Sequence, residues 1–405
     1  MKRLARFIVL FVAVTLACSR SAHLTATALP ARPTAPPVPA EYQATYDELE
    51  TTLSGFANSL PPSGSAPTFG TDLAYANGNI GETLLEPTTM TLVQTMLDQL
   101  LSLGVQGVIV HISFPLLEPD SPRSAEYLQF FKQVEAQVRQ RNLKLLIESG
   151  PLFAGTAYSP VRVDWSKYTL GSFLQARQNQ LAVIAREIKP DYLQIANEPT
   201  TQAMLTGFNF TPAAYAEFVR AAIQQIGHSE GMVLTAGAGT WEEPNYLDGL
   251  IGMPGLDAID IHLYPLGRDA ALLQRAYAAA QDANAHGQQV VISEAGLYKV
   301  RASELTTLGK NFTEIFGRDV FSFWEPLDEK FIQVITQLAR AGKIELVSFF
   351  WTRNFFAYLD YDQYYTVPSE EINRPINQAS ILNVRNGTLS QLGEFYKNWI
   401  ATQLN

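Results

Sequence analysis

Short apolar segments alternate with longer segments of helical periodicity along this chain from about residue 41 onward. The apolar segments contain few polar residues, as is typical of parallel strands that are covered on both faces. We predict strands at Asp72–Tyr75, Gly107–Ile112, Leu143–Glu148, Tyr192–Asn197, Met232–Ala236, Ala258–Leu263, Val290–Glu294 and Glu345–Trp351. We predict helices at Glu41–Leu60, Ser124–Arg141, Ser172–Ile188, Pro212–Ile226, Arg268–Ala285, Asp328–Ala341 and Leu389–Gln403.

Eight strands with intervening helices predict a (β/α)8 barrel, the α/β fold known as the TIM barrel. An open, doubly wound sheet is the alternative. It would normally carry fewer strands and a glycine-rich phosphate loop after the first strand, and the sequence shows no such loop. We therefore predict one catalytic domain over residues 41–405. The long segment 299–326, which follows strand seven, is predicted to be a loop that forms a lid or a wall of the cleft.

Residues 1–18 are predicted to form a signal peptide. Three basic residues lie among the first six, and the apolar stretch Phe7–Ala17 that follows has 11 residues. A membrane span needs roughly 20 residues, so this stretch suits an export signal better. Cys18, the only cysteine of the chain, follows Thr-Leu-Ala and resembles the lipidated cysteine of a bacterial lipobox. The alternative is a chance cysteine with ordinary cleavage after Ala28.

Residues 19–40 are rich in proline, alanine, threonine and serine and carry almost no large apolar side chains. Such a segment buries too little surface to fold, so we predict a disordered linker. We expect the protein to be exported, either to the extracellular space or to the outer cell surface of a bacterium. Lipidation of Cys18 would add a membrane tether.

The net charge of −10 at pH 7 argues against a nucleic-acid partner, because such partners need basic surfaces. An acidic protein of this kind suits a neutral substrate. We expect it to act as a monomer.

Two glutamates follow predicted strands. Strand four ends in Asn197-Glu198-Pro199, and strand seven ends at Glu294. Because active sites of TIM barrels lie at the carboxyl ends of the strands, both carboxylates are predicted to point into one cleft. Glycosidic cleavage needs such a pair, one protonated to give its proton to the leaving oxygen and one ionised to attack or to activate water. For a single glutamate, a salt bridge to a neighbouring loop would be the simpler interpretation.

Strand six ends with His262 and Tyr264, which share one face of the strand because they are two residues apart. The tyrosine hydroxyl can hold a nucleophilic carboxylate ionised, and the histidine can orient the acid or bind a sugar hydroxyl. Trp351 ends strand eight, where an indole can stack on a sugar. A hydrogen-bonded core histidine and a core tryptophan are the alternatives.

This ordered set of motifs resembles clan A of the glycoside hydrolases, which includes the family-five cellulases and mannanases. The set is Asn-Glu-Pro on strand four, His-x-Tyr on strand six, Ser-Glu-Ala-Gly on strand seven and tryptophan on strand eight. The resemblance covers the chain from about residue 65 to its end. It implies a retaining glycosidase that works by double displacement on β-linked poly- or oligosaccharides, with neither a metal nor an organic cofactor.

The resemblance also implies a role for each matched residue. By this resemblance, Glu198 corresponds to the general acid/base of the clan, and Glu294 corresponds to its nucleophile. Asn197 would bind the sugar 2-hydroxyl, His262 and Tyr264 would support the two glutamates, and Trp351 would form the floor of the central subsite. Many members of the clan carry an arginine near the tip of strand two, but this chain has His111 there. Either His111 or Arg353 is expected to replace that arginine.

Aromatic residues are frequent in the segments that follow the strands. Because sugar C–H faces stack on aromatic rings, an aromatic rim suits a polymeric substrate and favours endo action, with exo action as the alternative. The aromatic residues placed there are Trp165, Trp241, Trp324, Trp351, Tyr75, Phe114, Phe153 and Tyr298. Of these, Trp241, Trp324, Tyr298 and Trp351 are predicted to bind substrate together with His111. The alternative is that rim aromatics only pack the loops.

The sequence bears differently on four other functions. A metal-dependent hydrolase would need histidines at ligand spacing, and the five histidines show none. A serine hydrolase would need Gly-x-Ser-x-Gly after a strand, which is absent. A catalytically inactive glycan-binding barrel is the non-enzymatic alternative. A transglycosylase would differ from a hydrolase only in the acceptor, which is a sugar in place of water.

Overall fold

Eight parallel strands form a closed barrel in which each strand pairs with the next along the chain and the last pairs with the first. The computed structural model describes residues 35–404 except 63, 157–158, 228–230, 266–269, 302 and 305–311. The predicted (β/α)8 barrel is therefore confirmed. The strands are β1 Thr68–Asp72, β2 Gly107–His111, β3 Lys144–Glu148, β4 Tyr192–Ala196, β5 Val233–Gly239, β6 Ala258–Leu263, β7 Gln289–Ala295 and β8 Leu346–Phe349.

Helices surround the barrel and cover the outer faces of its strands. Their apolar faces join the strands in one large core cluster. The α-helices are α1 Ala40–Ser59, α2 Thr89–Ser102, α3 Ser124–Gln140, α4 Leu170–Glu187, α5 Pro199–Thr206, α6 Pro212–Ile226, α7 Asn245–Asp248, α8 Ala271–Ala285, α9 Phe312–Arg318, α10 Glu325–Gly342, α11 Tyr361–Tyr364, α12 Asn373–Asn386 and α13 Gln391–Leu404. Short 3-10 helices lie at Ala74–Ala76, Gly78–Leu85, Trp165–Lys167, Ser322–Trp324 and Thr352–Phe355.

The prediction for strand one was wrong in its position. The strand runs over Thr68–Asp72, whereas Ala74–Ala76 forms a 3-10 turn above it. Gly70 pairs with Gly107 in this strand, and a Cβ at Gly70 would lie 3.3 Å from the Gly107 carbonyl oxygen. The close approach of the two backbones thus favours a glycine at a position where a strand pattern would carry a large apolar side chain. The apolar pattern therefore indicated a strand a few residues later in the sequence than the observed one.

The first helix of the described chain, α1, flanks the barrel instead of closing its bottom. Its buried residues Leu49, Leu53 and Phe56 face the core, and Gln337 of α10 donates to its Ala57 carbonyl. The segment 299–326 is not a plain loop, because it contains α9 and the turn Ser322–Trp324. Residues 302 and 305–311 of that segment lie outside the described residues, as does the predicted signal peptide with Cys18. Among the described residues, every helix is too short or too polar to cross a membrane.

Trp324 does not line the cleft, contrary to the prediction. Its side chain is fully buried, its ring stacks on Tyr46 at 5.9 Å, and its indole N–H donates to the Arg318 carbonyl at 2.9 Å. The residue follows strand seven in sequence, but it begins the outer helix α10 beneath α1. Trp324 is therefore part of the packing between these two helices.

Trp324→Ala should lower the free energy of unfolding by about 3–5 kcal/mol, the usual cost of truncating a fully buried aromatic side chain. Urea denaturation of the variant and of the parent protein measures this difference. Trp165→Ala, at a partly exposed position in the 3-10 helix Trp165–Lys167, is the control and should cost less. Equal losses in the two variants would contradict the packing role of Trp324.

Candidate active site

Glu198 stands at the junction of β4 and α5 in a strained backbone conformation. Its φ of 49° and ψ of 61° are left-handed, which costs energy for a residue with a side chain. Pro199 begins α5, where the missing N–H has no intrahelical partner to lose. The Asn197 side chain accepts from the Glu198 amide at 2.8 Å. This turn holds the Glu198 carboxylate at the barrel rim.

A buried arginine supports the same turn from below. Arg177 of α4 donates to the carbonyls of Ser149 and Ile195 and to the side chain of Gln202. Gln202 in turn donates to the Asn197 carbonyl. Burial lowers the pKa of Arg177 to about 10, so the guanidinium is still charged near neutral pH. Arg177 thus ties the carboxyl ends of β3 and β4 to one helix. Sequence analysis missed Arg177 because nothing in the sequence of α4 distinguishes it from a surface arginine.

His262 lies between the two predicted catalytic glutamates. Its Nδ1 atom is 2.6 Å from Glu198 Oε1 and 3.5 Å from Glu294 Oε2, and its Nε2 atom is 3.0 Å from Ser293 Oγ. Burial alone would lower the pKa of His262, but Glu294 and the carboxylates around it raise that pKa well above its usual value. The imidazole is thus held as a cation by the acids that surround it.

Tyr264 donates from its hydroxyl to Glu294 Oε2 at 2.6 Å, as the two-residue spacing from His262 predicted. Glu294 is 9% exposed. Burial and the neighbouring carboxylates of Glu148 and Glu198 raise its pKa well above the usual range, although His262 and Tyr264 act in the opposite direction. The surroundings of this nearly dry carboxyl group therefore disfavour its ionised form, and His262 and Tyr264 partly offset that effect.

His111 occupies the place at the tip of β2 where an arginine was expected. Its Nε2 atom is 3.8 Å from Glu294 Oε1, and its Nδ1 atom is 3.3 Å from Glu148 Oε2. The other candidate, Arg353, donates to Asn373 and stacks over Trp351 with its guanidinium carbon 5.1 Å from the ring centre. Of the two candidates, His111 is thus the side chain that lies beside Glu294.

Two acidic residues of the site escaped the sequence analysis. Glu148 ends β3, pairs in register with His111 and is 4% exposed. Asp260 lies one layer deeper on β6, where it accepts from Gln194 at 2.8 Å and from the Ser293 hydroxyl at 2.7 Å. A signal for each existed. Glu148 is a glutamate at a predicted strand end, and Asp260 precedes His262 by two residues on the same face.

The remaining predicted binding residues surround this centre unequally. Trp241 lies 5.7 Å from the Tyr264 ring, and Tyr298 stacks on Tyr264 at 4.7 Å. Trp351 is partly exposed and packs on Phe350 at 4.1 Å. These three aromatics can meet a sugar, whereas Trp165 packs into an aromatic cluster with Phe114, Tyr168 and Phe173.

Two groups within the described residues bring imidazole and carboxylate atoms within 4.8 Å of one another, a spacing that a metal ion could bridge. One comprises His111, Glu148 and Glu294, and the other comprises Glu198, His262 and Glu294. Each contains one histidine and at least one of the two predicted catalytic glutamates. The absence of a required metal stays a prediction.

No protein-family model matches this chain, and no curated protein sequence matches it. Solved structures do resemble it. A GH5_18 protein from Bifidobacterium longum subsp. longum is 14% identical with a TM-score of 0.55, over 84% of this chain and 79% of the other. An exo-β-1,4-mannosidase from Opitutaceae bacterium strain TAV5 is 14% identical with a TM-score of 0.51, over 85% and 62%. A GH5_18 protein from Streptomyces cattleya in complex with Manβ1-4GlcNAc is 12% identical with a TM-score of 0.53, over 83% and 80%. These likenesses show the shared barrel fold.

Glu294→Gln should make the protein more stable at neutral pH, by about 0.5–2 kcal/mol, as is common when a costly functional group is removed. The folded-state pKa of Glu294 is raised, so ionisation of the unfolded chain destabilises the native state as pH rises. Below the unfolded pKa of about 4.3, both states are protonated and the advantage of the variant should vanish.

Urea denaturation at pH 4 and at pH 8 measures this dependence. The control is Glu370→Gln, which changes an exposed glutamate and should shift stability by less than about 0.5 kcal/mol at either pH. A Glu294→Gln variant that is less stable than the parent at pH 8 would show that the carboxylate is not under electrostatic strain.

Proposed function

We propose that this protein is a retaining glycoside hydrolase that cleaves β-linked poly- or oligosaccharides, with Glu198 as general acid/base and Glu294 as nucleophile. The observation that carries the proposal is the close pair of carboxylates at one histidine. One oxygen of Glu198 lies within 4.8 Å of one oxygen of Glu294, and His262 Nδ1 faces both. Retaining enzymes place their carboxyl groups about 5–5.5 Å apart, whereas inverting enzymes need about 6.5–9.5 Å to admit a water.

In the first step a Glu294 oxygen attacks the anomeric carbon while protonated Glu198 gives its proton to the glycosidic oxygen. The bond to the leaving sugar breaks, and a glycosyl ester on Glu294 forms. In the second step Glu198 takes a proton from water, the water oxygen attacks the same carbon, and the ester bond to Glu294 breaks. Two inversions restore the original anomeric configuration.

The neighbours of the pair suit this division of roles. The Tyr264 hydroxyl donates to Glu294 and favours its ionised, nucleophilic form. Glu198 is the more exposed of the two, with 18% of its side chain accessible against 12% for Glu294, so it can reach both the leaving group and water. The Asn197 side-chain amide nitrogen is buried without a hydrogen-bond partner among the described residues, which suits a contact with a sugar hydroxyl.

Cleavage within a chain is favoured by the aromatic residues near the cleft, as the sequence analysis proposed. A second candidate is release of sugars from a chain end. It is favoured because Trp324, which was predicted to line the cleft, is buried elsewhere, and because the fold is similar to that of an exo-β-1,4-mannosidase. Transfer to a sugar acceptor would use the same glycosyl ester. An inactive glycan-binding barrel is disfavoured because both glutamates are present in contact geometry with His262 and Tyr264.

We also propose that the protein acts outside the cell. The support is the basic, then apolar, N-terminal segment that precedes Cys18 and the proline-rich residues 19–40. A neutral glycan outside the cell would also suit the net charge of −10.

Residues 35–405 should release sugar from one member of a panel of β-mannans, β-glucans, galactans and xylans. Glu294→Ala should lower kcat by about 10⁴-fold because the attacking oxygen is lost. Chromatography of the first products distinguishes internal cleavage, which gives mixed oligosaccharides, from release of one sugar size at a chain end.

Sodium azide separates the two catalytic roles on an aryl β-glycoside. In Glu294→Ala, azide should attack the substrate directly and give the α-glycosyl azide. In Glu198→Ala, azide should attack the glycosyl ester and give the β-glycosyl azide. Exchange of these two products would reverse the assignment, and a parent enzyme that inverts configuration would refute double displacement.

Tyr264→Phe should move the acid limb of the kcat/KM profile to higher pH. The variant removes a hydrogen bond to ionised Glu294, so the pKa of Glu294 rises further and the nucleophile is protonated over more of the acidic range. A hydrogen bond to a charged group contributes about 1.5–3 kcal/mol, which corresponds to about one to two pH units.

The matched control is Tyr215→Phe, which removes a buried hydroxyl that donates to the Gly237 carbonyl at 2.7 Å on the outside of the barrel. Its acid limb should coincide with that of the parent. Coincident profiles for Tyr264→Phe and the parent would mean that this hydroxyl does not set the ionisation of the nucleophile.

A further inference from the structure

Glu148 contacts two histidines, and the double displacement described above does not use it. Its Oε2 atom is 3.3 Å from His111 Nδ1, and its Oε1 atom is 3.7 Å from His262 Nε2. His111 reaches it from β2 and His262 from β6, across the mouth of the barrel. A carboxylate at 4% exposure must be compensated, and these two rings are the partners that the structure provides.

Each of the two histidines presents its second ring nitrogen to a catalytic glutamate. His111 Nε2 lies 3.8 Å from Glu294 Oε1, and His262 Nδ1 lies 2.6 Å from Glu198 Oε1. Glu148 thus lies behind both histidines, and the close pairs are His111 with Glu148 and His262 with Glu198. Groups behind a histidine in this way set its orientation and the nitrogen that carries the proton.

We propose that Glu148 is a positioning residue that holds His111 and His262 by ion pairs and, through the His262 ring, favours the ionised form of Glu294. The proposal rests on the roles assigned to Glu198 and Glu294 in the proposed function. An arginine at position 111 would carry its charge and its donors at any working pH, whereas a histidine needs a carboxylate partner to do so.

The protons follow from what each group can donate. Burial alone would raise the pKa of Glu148, but His111 and His262 lower it to about 2, so Glu148 only accepts. The distances from Glu148 to His262 Nε2 and from His111 Nε2 to Glu294 exceed the length of a hydrogen bond, so these links are electrostatic. Negative charge beside His262 favours the protonated ring. The protonated ring in turn favours the ionised form of Glu294, which is the form that attacks.

Other charged groups face the same rings. Asp72 of β1 acts electrostatically on His111, and Asp260 of β6 acts on His262 from the deeper layer. Glu148 also repels Glu294 directly, which raises the pKa of Glu294. The direct effect of Glu148 raises the pKa of Glu294, whereas its effect through the histidines lowers that pKa. Removing the charge of Glu148 therefore shows which of the two effects is larger.

The test is Glu148→Gln, which keeps the volume and removes the charge. In full-length protein labelled with 15N-histidine, long-range 1H–15N spectra report which ring nitrogens carry hydrogen. At pH 7 the fraction of His262 rings with hydrogen on both nitrogens should decrease in the variant. His111→Gln assigns its ring signals. Unchanged spectra would overturn the proposal, even if no glycoside is cleaved and the proposed function fails.

On a glycoside that the parent cleaves, the acid limb of kcat/KM should move to higher pH by about one unit, which is a tenfold loss on that limb. Movement to lower pH would mean that Glu148 acts only by repelling Glu294, and would overturn the proposal. In a His262→Gln background the shift caused by Glu148→Gln should be smaller, because the transmitting ring is absent.

The matched control is Glu325→Gln. Glu325 is also 4% exposed, but it lies at the start of α10, away from the histidines, and accepts a hydrogen bond from the Leu392 amide. Its variant should leave the histidine spectra and the pH profile unchanged. If Glu148→Gln does not fold, Glu148→Asp retracts the carboxylate by one methylene, and it should change the spectra and the acid limb in the same direction.

Discussion

Eight parallel strands hydrogen-bond in one closed ring, and the ring brings all of their carboxyl ends to one rim. Side chains from strands far apart in sequence meet there because register aligns them. His262 pairs with Glu294 across β6 and β7, and His111 pairs with Glu148 across β2 and β3. The small residues Gly70 and Gly107 let β1 approach β2 closely. Closure of the ring brings Glu148 on β3 near His262 on β6, two strands that do not pair with each other.

The cost of this arrangement is electrostatic. Glu148, Glu198 and Glu294 lie within one small volume that excludes most water, and Asp260 lies beneath them. Within the described part of the chain, His111 and His262 are the ion-pair partners of these carboxylates. Because like charges in a dry site raise one another's pKa, the proposed roles of acid and nucleophile depend on which carboxylate receives the donors. The Tyr264 hydroxyl gives that preference to Glu294. The strained backbone at Glu198 is a second cost of the site, held in place by Arg177 and Gln202.

Apolar segments of strand length predicted the barrel well, because parallel strands covered on both faces need continuous apolar sequence. The prediction placed seven strands within three residues of their observed bounds at each end and misplaced only strand one, where Gly70 and Asp72 interrupt the apolar pattern. It also identified the pair Glu198 and Glu294, since a strand end is visible in sequence. The prediction that Trp324 lines the cleft was wrong. Its position shortly after strand seven in the sequence does not show whether the side chain lies at the barrel rim or in the outer layer of helices. Glu148 was missed because its meaning depends on two histidines, 37 residues before it and 114 after it in the chain.

The sequence by itself determined the fold class and the residues at the ends of the strands, because hydrophobic periodicity and strand length are local properties. Tertiary structure alone decided which of those residues touch. The choice of His111 over Arg353 beside Glu294, the shared position of His262 and the burial of Trp324 all depend on strand register and on helix packing. These are long-range properties, and a single sequence without its fold does not contain the distances on which charge, hydrogen bonding and catalysis depend.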